Sequence, residues 1–376
     1  MSQRHYPGET LGIIGSSVAS ALLAQSAGKL GYRVASLVTH PDNPVRQFAS
    51  WQTVVDQYDE QALKFFGGRI DVVTAEVGLL NNLDLQLLES LTDLALSENL
   101  MAMTTDRLIE KAFLDRNKFL VAPFSLITNR RDLEEAVEII GFPAILKTTQ
   151  RHVSDAQDHL MIYGPEDFPD AEAKLERGAC LLEAWIPSEK VASVTIVRNE
   201  RGERLTYPVF EKLALDDDIV QVRYPANIHP VVEGEMIRIS ESIADLVGLS
   251  GAITVNFLIT SASVVYVAGV STGLSQEAMF TIGSTSLSHF EASVRAIMGL
   301  PLPELRISTK AAIAYPLSIL DLEAVMTQLM LRTDWGFALF NSTGASELHL
   351  TGQVIVTGDS IESCERQVEI TNLLAK

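Results

Sequence analysis

The chain has 376 residues, of which 47% are apolar and 20% charged, a composition typical of globular proteins rather than disordered ones. Its 48 acidic and 29 basic side chains give a net charge of −19, which argues against nucleic acid and anionic membranes as partners. Two cysteines are too few for a disulfide framework, no apolar run could span a membrane, and the segment 1–10 is polar, so we expect a cytoplasmic protein of two or three compact units.

The N-terminal elements alternate between strand and helix. An apolar run at 11–15 ends in glycine, an Ala- and Leu-rich segment follows at 17–30, and a second apolar run occupies 33–38. This order predicts a βαβ unit with parallel strands. A further buried strand is predicted at 71–75 and an amphipathic helix at 84–96.

Two helices and a strand are predicted next. A charged helix over 104–120 is opened by a Thr/Asp cap, and a second helix is capped by Asn129. Leu133 and the apolar residues one turn further on form one face of this second helix, and Gly141 ends it. A strand is predicted over 144–147.

The following region contains strand pairs with a helix between them. Strands are predicted over 180–183 and 192–198, and a helix over 233–247. Two further strands, 252–260 and 264–270, are separated by three small residues, which predicts a hairpin.

The last part of the chain follows a proline-rich segment, Leu300-Pro-Leu-Pro303, which is typical of a linker. Beyond it, strands are predicted near 336–340 and 352–357. We therefore expect three domains: an α/β domain over 1–100, an α+β domain over 101–300 and a small mixed domain over 301–376.

Several short strings, in this order, resemble those of the 5-(carboxyamino)imidazole ribonucleotide synthases. The resemblance covers nearly the whole chain. The matching strings are Leu11-Gly-Ile-Ile-Gly15, Leu30-Gly-Tyr-Arg-Val34, Asp71-Val-Val-Thr-Ala-Glu76, Asp106-Arg-Leu-Ile-Glu-Lys111, Phe142-Pro-Ala-Ile-Leu-Lys147, Tyr207-Pro-Val209, Phe290-Glu291, Arg295-Ala-Ile297 and Leu300-Pro-Leu302.

The resemblance implies a three-domain ATP-grasp architecture of the α/β and α+β classes, and a homodimer. The family makes carboxyphosphate from ATP and bicarbonate and transfers the carboxylate to aminoimidazole ribonucleotide, with Mg²⁺ as cofactor. Since function depends on the site rather than on the fold, each part of the implied site has to be compared with the residues of this chain.

The resemblance places ATP-contacting lysines at Lys111 and Lys147, and a glycine-rich phosphate loop after Lys147. Glycines allow backbone N–H groups to approach an anion closely. Here no glycine occurs between Gly141 and Gly164. The loop also contains aspartates, and we interpret its histidines, including His159, as part of a polar loop rather than a metal site.

The adenine side of the implied site is only partly kept. Glu183 matches an adenine-side carboxylate, and Trp185 and Ile186 follow as apolar residues that could cover the base; for Trp185 the alternative is core packing. The resemblance places a ribose-binding carboxylate near Val191, where this chain has no acid.

The implied metal site is the most altered part. The family binds Mg²⁺ through two glutamates on neighbouring strands, and the matching residues here are Asn256 and Gly269. Because Mg²⁺ prefers carboxylate oxygen, we predict no metal ligand in this chain. No Lys or Arg occurs between Arg238 and Arg295, so the sequence near the hairpin offers no substitute charge.

The implied substrate site is altered too, and we interpret Gly15, Ser16 and Glu76 as a vestigial form of it. The family's glycine turn would use backbone amides and a helix N-terminus to bind the substrate phosphate. Here Ser16 and the next serine follow Gly15 and can cap a helix instead. A C-terminal Lys/Arg cluster is replaced by the segment 341–349, which has no Lys or Arg.

Three interpretations remain open. The first is an impaired or inactive paralogue that binds a nucleotide or another small molecule; the second is an active synthase; the third is an ATP-grasp ligase for a less charged substrate. We favour the first, because three sub-sites that act through charge are altered together, and we name no catalytic residue.

Overall fold

A computed structural model describes residues 4–95, 98–151, 159–216, 219–272, 274, 277–341 and 350–374. The N-terminal region forms a parallel five-stranded sheet in the order β3-β2-β1-β4-β5, which confirms the predicted doubly wound α/β domain. Its strands are β1 (Thr10–Ile14), β2 (Arg33–Val38), β3 (Trp51–Val54), β4 (Val72–Ala75) and β5 (Asp93–Leu94), and its helices are α1 (Val18–Lys29), α2 (Glu60–Gly67) and α3 (Asn82–Glu89).

The predicted helix over 84–96 is too long. The observed helix α3 ends at Glu89, with Ser90 as its C-cap. The chain then turns into β5, whose residue Asp93 pairs with Val72 of β4. The sheet edge therefore decides the conformation of residues that helical periodicity alone assigned to a helix.

The predicted helix over 104–120 is divided into α4 (Glu98–Thr105) and α5 (Arg107–Arg116). Asp106 separates them, because its extended backbone breaks the helix and its side chain accepts hydrogen bonds from Leu108 N and Ile109 N. The Asp106 cap was predicted correctly, whereas the threonines before it end α4 instead of opening α5.

A four-stranded antiparallel sheet follows, in the order β6-β9-β7-β8. Asn129 caps helix α6 as predicted, and Leu133 is buried beneath it. The elements are β6 (Phe124–Ile127), α6 (Arg130–Ile140), β7 (Ala144–Thr148), β8 (His159–Ile162), α7 (Phe168–Leu175) and β9 (Cys180–Ala184).

The rest of the chain builds one large sheet, in which the predicted hairpin is the edge pair β15-β14. The strands are β10 (Ser188–Arg198), β11 (Arg204–Thr206), β12 (Phe210–Asp216), β13 (Ile219–Tyr224), β14 (Gly251–Thr260), β15 (Val265–Thr272), β16 (Ala311–Pro316), β17 (Gly336–Asn341) and β18 (Leu350–Gly358). The helices are α8 (Pro230–Leu246), α9 (Thr281–Ser284), α10 (His289–Ile297), α11 (Leu322–Leu331) and α12 (Ile361–Ile370).

The C-terminal strands continue the middle sheet rather than forming a separate one. Strand β16 pairs with β13, with Ile313 opposite Arg223. The C-terminal region nevertheless has its own apolar cluster, which includes Val325, Trp335 and Cys364. The domain limits at residues 100 and 300 stay a prediction.

One apolar cluster joins all three regions and fixes their relative positions. It contains Leu23 of α1, Phe290 of α10 and Ala312 of β16. Lys29 Nζ, at the end of α1, lies 2.6 Å from Glu291 Oε2 of α10. The N-terminal sheet is therefore held against the middle region, and its β1–α1 turn faces the hairpin.

Among the helices of the described residues, none combines the length and the apolar character that crossing a bilayer requires. Cys180 and Cys364 are both buried, and they do not form a disulfide.

The C-terminal strand pair depends on a glycine at Gly352, and this gives a test of the fold. Its φ is +146°, and a Cβ there would lie 1.9 Å from the carbonyl oxygen of Ala338 on β17. We expect Gly352→Ala to lower the free energy of unfolding by at least about 2 kcal/mol, measured by urea denaturation.

The matched control is Gly234→Ala. Gly234 is solvent-exposed and lies within helix α8, away from its ends, and a Cβ there meets no atom within 4 Å. This substitution should raise stability by about 0.5–1 kcal/mol, because alanine is the better helix former. Equal effects of the two substitutions would contradict the strand pairing described here.

Candidate functional site

A cavity of about 770 Å³ lies where the N-terminal domain, the four-stranded sheet and the hairpin meet. Its volume is within the range of small-molecule sites. The N-terminal domain contributes Ser17 and Glu76 to its wall. The charged or polar side chains from the middle region are Thr104, Arg107, Lys147, Arg151, His159, Lys212, Asn256, Ser271 and Thr272.

The two predicted lysines share one carboxylate but differ in exposure. Glu183 Oε2 lies 3.3 Å from Lys111 Nζ and 3.5 Å from Lys147 Nζ. Lys111 is 2% exposed and also donates to the carbonyl oxygen of Ala268, at 3.0 Å. Lys147 lines the cavity. The structure therefore brings the three predicted residues together, with only Lys147 on the cavity wall.

The environment of this triad shifts two ionisation equilibria. Burial lowers the pKa of Lys147, more than the neighbouring charge of Glu183 raises it. Burial raises the pKa of Glu183, but the charges and hydrogen bonds of Lys147 and Lys111 outweigh it, so that the net pKa lies below the usual value. Glu183 therefore stays ionised and holds both ammonium groups.

A second cation is held by a buried carboxylate that sequence reasoning missed. Glu110 Oε2 lies 2.6 Å from Arg151 Nη2, and Glu110 Oε1 accepts a hydrogen bond of 2.6 Å from Val270 N of the hairpin. A Cβ on Gly269 would lie 3.2 Å from Glu110 Oε1. The absence of a side chain at Gly269 thus leaves room for the Glu110 carboxylate beside the hairpin.

The two implied metal positions are neighbours, since Asn256 of β14 pairs with Gly269 of β15. Asn256 Oδ1 already accepts hydrogen bonds from Ser193 Oγ at 2.6 Å and from Lys212 Nζ at 3.2 Å. Among the described residues, no three His, Cys, Asp or Glu side chains form a metal-binding group. These residues do not fit a divalent cation, because they offer one occupied neutral oxygen beside an ammonium group.

The predicted substrate turn is occupied by the protein itself. Ser17 caps helix α1, and Ser17 N donates a hydrogen bond of 2.8 Å to Glu76 Oε1, which also accepts from Ser20 Oγ. Gly15 has a φ of +145°, and a Cβ there would lie 2.4 Å from the carboxyl carbon of Glu76. Ser16 precedes the cap and is partly buried. The Glu76 carboxylate thus binds the N-terminus of helix α1, which would otherwise attract phosphate.

The adenine-side residues lie just beyond β9. Trp185 is 46% exposed, so the core-packing interpretation was wrong. Its backbone N donates to the carbonyl oxygen of Pro143 at 3.1 Å. Ile186 is partly buried, and Val191, at the implied ribose position, lines the cavity.

Most of the positive charge of the cavity was not predicted. The stretch between Arg238 and Arg295 indicated no cation near the hairpin, whereas Arg107, Arg151 and Lys212 reach the cavity from other parts of the chain. His159 is not in a loop; it pairs with Lys147 between β8 and β7. Arg107 lies within one of the matching strings, and its place there was the one signal in the sequence that could have indicated a further cation in the site.

Some predicted features fall on residues that the structure does not describe. They are the part of the phosphate loop over 152–158 and the C-terminal segment 342–349.

Two family models match this chain. An ATP-grasp domain model matches residues 112–290, and a ribonucleotide synthetase preATP-grasp domain model matches residues 8–104. The N5-carboxyaminoimidazole ribonucleotide synthase of Bacillus subtilis (strain 168) is 29% identical over 300 residues, which is 79% of this chain and 78% of that protein. The Staphylococcus aureus (strain MRSA252) protein of the same name is 25% identical over 363 residues, 96% of each chain.

Solved structures of the same kind have the same fold. The ADP complex of a PurK N5-carboxyaminoimidazole ribonucleotide synthetase superposes with a TM-score of 0.90 at 27% identity, covering 99% of this chain and 98% of that one. The expected ATP-grasp architecture with a preATP-grasp N-terminal domain is therefore confirmed.

The Glu183 triad gives a test of the site. We expect Glu183→Gln to lower the free energy of unfolding by about 3 kcal/mol at pH 7, because it leaves the buried Lys111 charge without its carboxylate. Because the pKa of Glu183 is below the usual 4.5, its contribution is complete above that pH and is lost as the pH falls through the folded-state pKa.

The difference between wild type and Glu183→Gln should therefore shrink below about pH 4.5 in urea denaturation. Glu189→Gln, at an exposed position five residues from the end of β9, is the matched control and should change stability by less than about 0.5 kcal/mol. A constant difference between pH 7 and pH 3 would contradict the ionised triad.

Proposed function

The chain belongs to the PurK-like ATP-grasp proteins of purine biosynthesis, and we propose that it is a cytoplasmic paralogue that binds an adenine nucleotide but is impaired in catalysis. The observation that carries the proposal is the pair Asn256–Gly269, where the resemblance places the two metal-binding glutamates. Bound metal would stabilise the charge that develops on the transferred phosphoryl group. Neither residue of this pair supplies a carboxylate.

Nucleotide binding is supported by the charges that remain in the cavity. Lys147, Arg107 and Arg151 line it, and each carries a positive charge that suits phosphate oxygens. The similar PurK structure was solved with ADP. We propose that these three side chains contact the phosphates, and that Trp185 and Ile186 lie against the base.

Lys111 and Glu183 have a supporting role in this proposal. Lys111 is buried behind the cavity wall and is bound to the backbone of the hairpin strand β15 through Ala268. Glu183 holds Lys147 at 3.5 Å, so it sets where the Lys147 ammonium lies. Loss of either residue would therefore act through Lys147 and the hairpin rather than through direct contact with nucleotide.

On the substrate side, the feature that differs from the family is the serine-rich turn after Gly15, which binds Glu76, an acid that this chain shares with the matching string at 71–76. The Glu76 carboxylate accepts hydrogen bonds from Ser17 N and Ser20 Oγ at the start of α1. A phosphate at this helix N-terminus would compete with a fixed negative charge for the same amide. We therefore propose that this chain does not use the β1–α1 turn to bind a phosphorylated substrate.

Turnover is the direct test of impairment. With Mg-ATP, bicarbonate and aminoimidazole ribonucleotide, we expect phosphate release at least about 10³-fold slower than for the Bacillus subtilis synthase assayed in parallel. Several kcal/mol of metal-derived stabilisation are lost, and each 1.36 kcal/mol is about a tenfold change in rate.

A rate within tenfold of that synthase would contradict the proposal and identify an active enzyme. Release of phosphate with an uncharged amine in place of aminoimidazole ribonucleotide would instead support a ligase for another substrate. Heat-denatured protein and nucleotide alone give the background for both assays.

We also propose a homodimer, because the resemblance implies one and a two-fold interface suits apolar surface. Met330 and Leu331 at the end of α11 are 84% and 69% exposed, and Ile370 at the end of α12 is 75% exposed. Light scattering after size exclusion should give twice the chain mass of 41.1 kDa. A mass of one chain at micromolar concentration would contradict the dimer.

A further inference from the structure

A lysine ammonium group lies beside the hairpin pair that replaces the metal-binding glutamates. Lys212 extends from β12 to a position where its Nζ is 2.5 Å from Glu277 Oε1 and 3.2 Å from Asn256 Oδ1. The Lys212 side chain is 18% exposed and that of Glu277 is 19% exposed, so the ion pair is largely removed from solvent. Lys212 also lines the cavity.

The surroundings of Asn256 are arranged around this cation. Lysine has only donors, so the atom of Asn256 that faces Lys212 must be the amide oxygen, and Ser193 Oγ donates to the same oxygen. The amide nitrogen then lies 3.2 Å from Ser271 Oγ and 3.5 Å from Glu277 Oε2. Asn256 and Glu277 thus act as neighbouring ligands of an ammonium group instead of ligands of a metal ion.

We infer that Lys212 takes the place of the metal: it is a built-in cation that lets this cavity bind the phosphates of an adenine nucleotide without a divalent ion. The choice of nucleotide rests on the proposed function, whereas the position of the cation rests on the contacts of Lys212. Arg151 and Lys147 also line the cavity, so a phosphate beside Asn256 meets positive charge from three side chains.

The chemistry of Mg²⁺ and of the Lys212 ammonium group explains why the ammonium group excludes the metal ion. Mg²⁺ requires about six oxygen ligands in octahedral geometry, mainly carboxylate, phosphate and water. An ammonium group supplies a single charge and three donors, and it repels a second cation at the same position. Lys212 therefore supports binding of phosphate oxygens but does not bridge two phosphates in the way a divalent ion does.

Calorimetric titration with ADP tests this inference, since ADP binding involves no turnover and its result is independent of the activity assay. In EDTA, the wild-type chain should bind ADP at least as tightly as in excess MgCl₂. Lys212→Met should weaken ADP binding at least tenfold in EDTA. Lys310→Met, which removes an exposed lysine paired with Asp359, is the matched control and should change ADP affinity less than twofold.

Glu277→Gln gives a second test, in which the expected change in ADP affinity is opposite to that of Lys212→Met. It removes the carboxylate that competes with phosphate for Lys212, so ADP binding in EDTA should become several-fold tighter. An ion pair that serves folding alone predicts unchanged or weaker binding in this variant. Glu277→Gln therefore decides the question even where Lys212→Met fails to fold.

Four results would overturn the inference. They are a tenfold or larger gain in ADP affinity on adding MgCl₂, wild-type affinity in a folded Lys212→Met variant, unchanged or weaker ADP binding in Glu277→Gln, and no binding of ADP in EDTA. The first would mean that a metal ion, held by residues such as Glu277, still organises the site.

Discussion

The charge of a polyphosphate must be balanced wherever a nucleotide binds, and we propose that in this chain the balance comes from side chains. Three cations on the cavity wall are each held by a carboxylate: Lys147 by Glu183, Arg151 by Glu110 and Lys212 by Glu277. A long basic side chain loses rotamer entropy when it is ordered. Because a fixed carboxylate already orders it in the folded protein, that entropy cost does not arise when a ligand binds. The same carboxylates reduce the field that reaches a ligand, so the anion site that we propose in this cavity is weaker than its cations alone would make it.

In the proposed function, this arrangement supports nucleotide binding without supporting catalysis. Fixed cations attract phosphate in the ground state and in the transition state alike, and such uniform binding does not accelerate a reaction. Acceleration requires charge placed where new charge develops. The hairpin position that could supply it pairs Asn256 with Gly269, and Glu110 and Lys212 occupy the surrounding space. The fold is thus that of the family scaffold, and the proposed loss of its chemistry rests on these replacements around the hairpin.

Much of the fold could be predicted from the sequence, because its signals are local. The βαβ unit at the N-terminus, the Asn129 cap, the Asp106 cap and the hairpin all depend on periodicity or on side chains within a few residues. The errors occurred where tertiary contacts decide. Residues 93 and 94 are drawn into an edge strand by β4, and the C-terminal strands join the middle sheet through β13. The site could be predicted in part: Lys111, Lys147 and Glu183 meet as expected, whereas Lys212 and Arg151 gave no local signal.

The sequence by itself determined which residue types stand at the implied metal positions, since Asn256 and Gly269 lack a carboxylate in any conformation. It also determined the family, because matching strings in one order over most of the chain reflect a shared scaffold. Only the tertiary structure decided where charge accumulates. Lys212 and Glu277 are 65 residues apart in the chain, and Glu110 and Val270 are 160 apart, yet each pair is in contact. Electrostatic interaction depends on distance in space, and a linear pattern does not contain that distance.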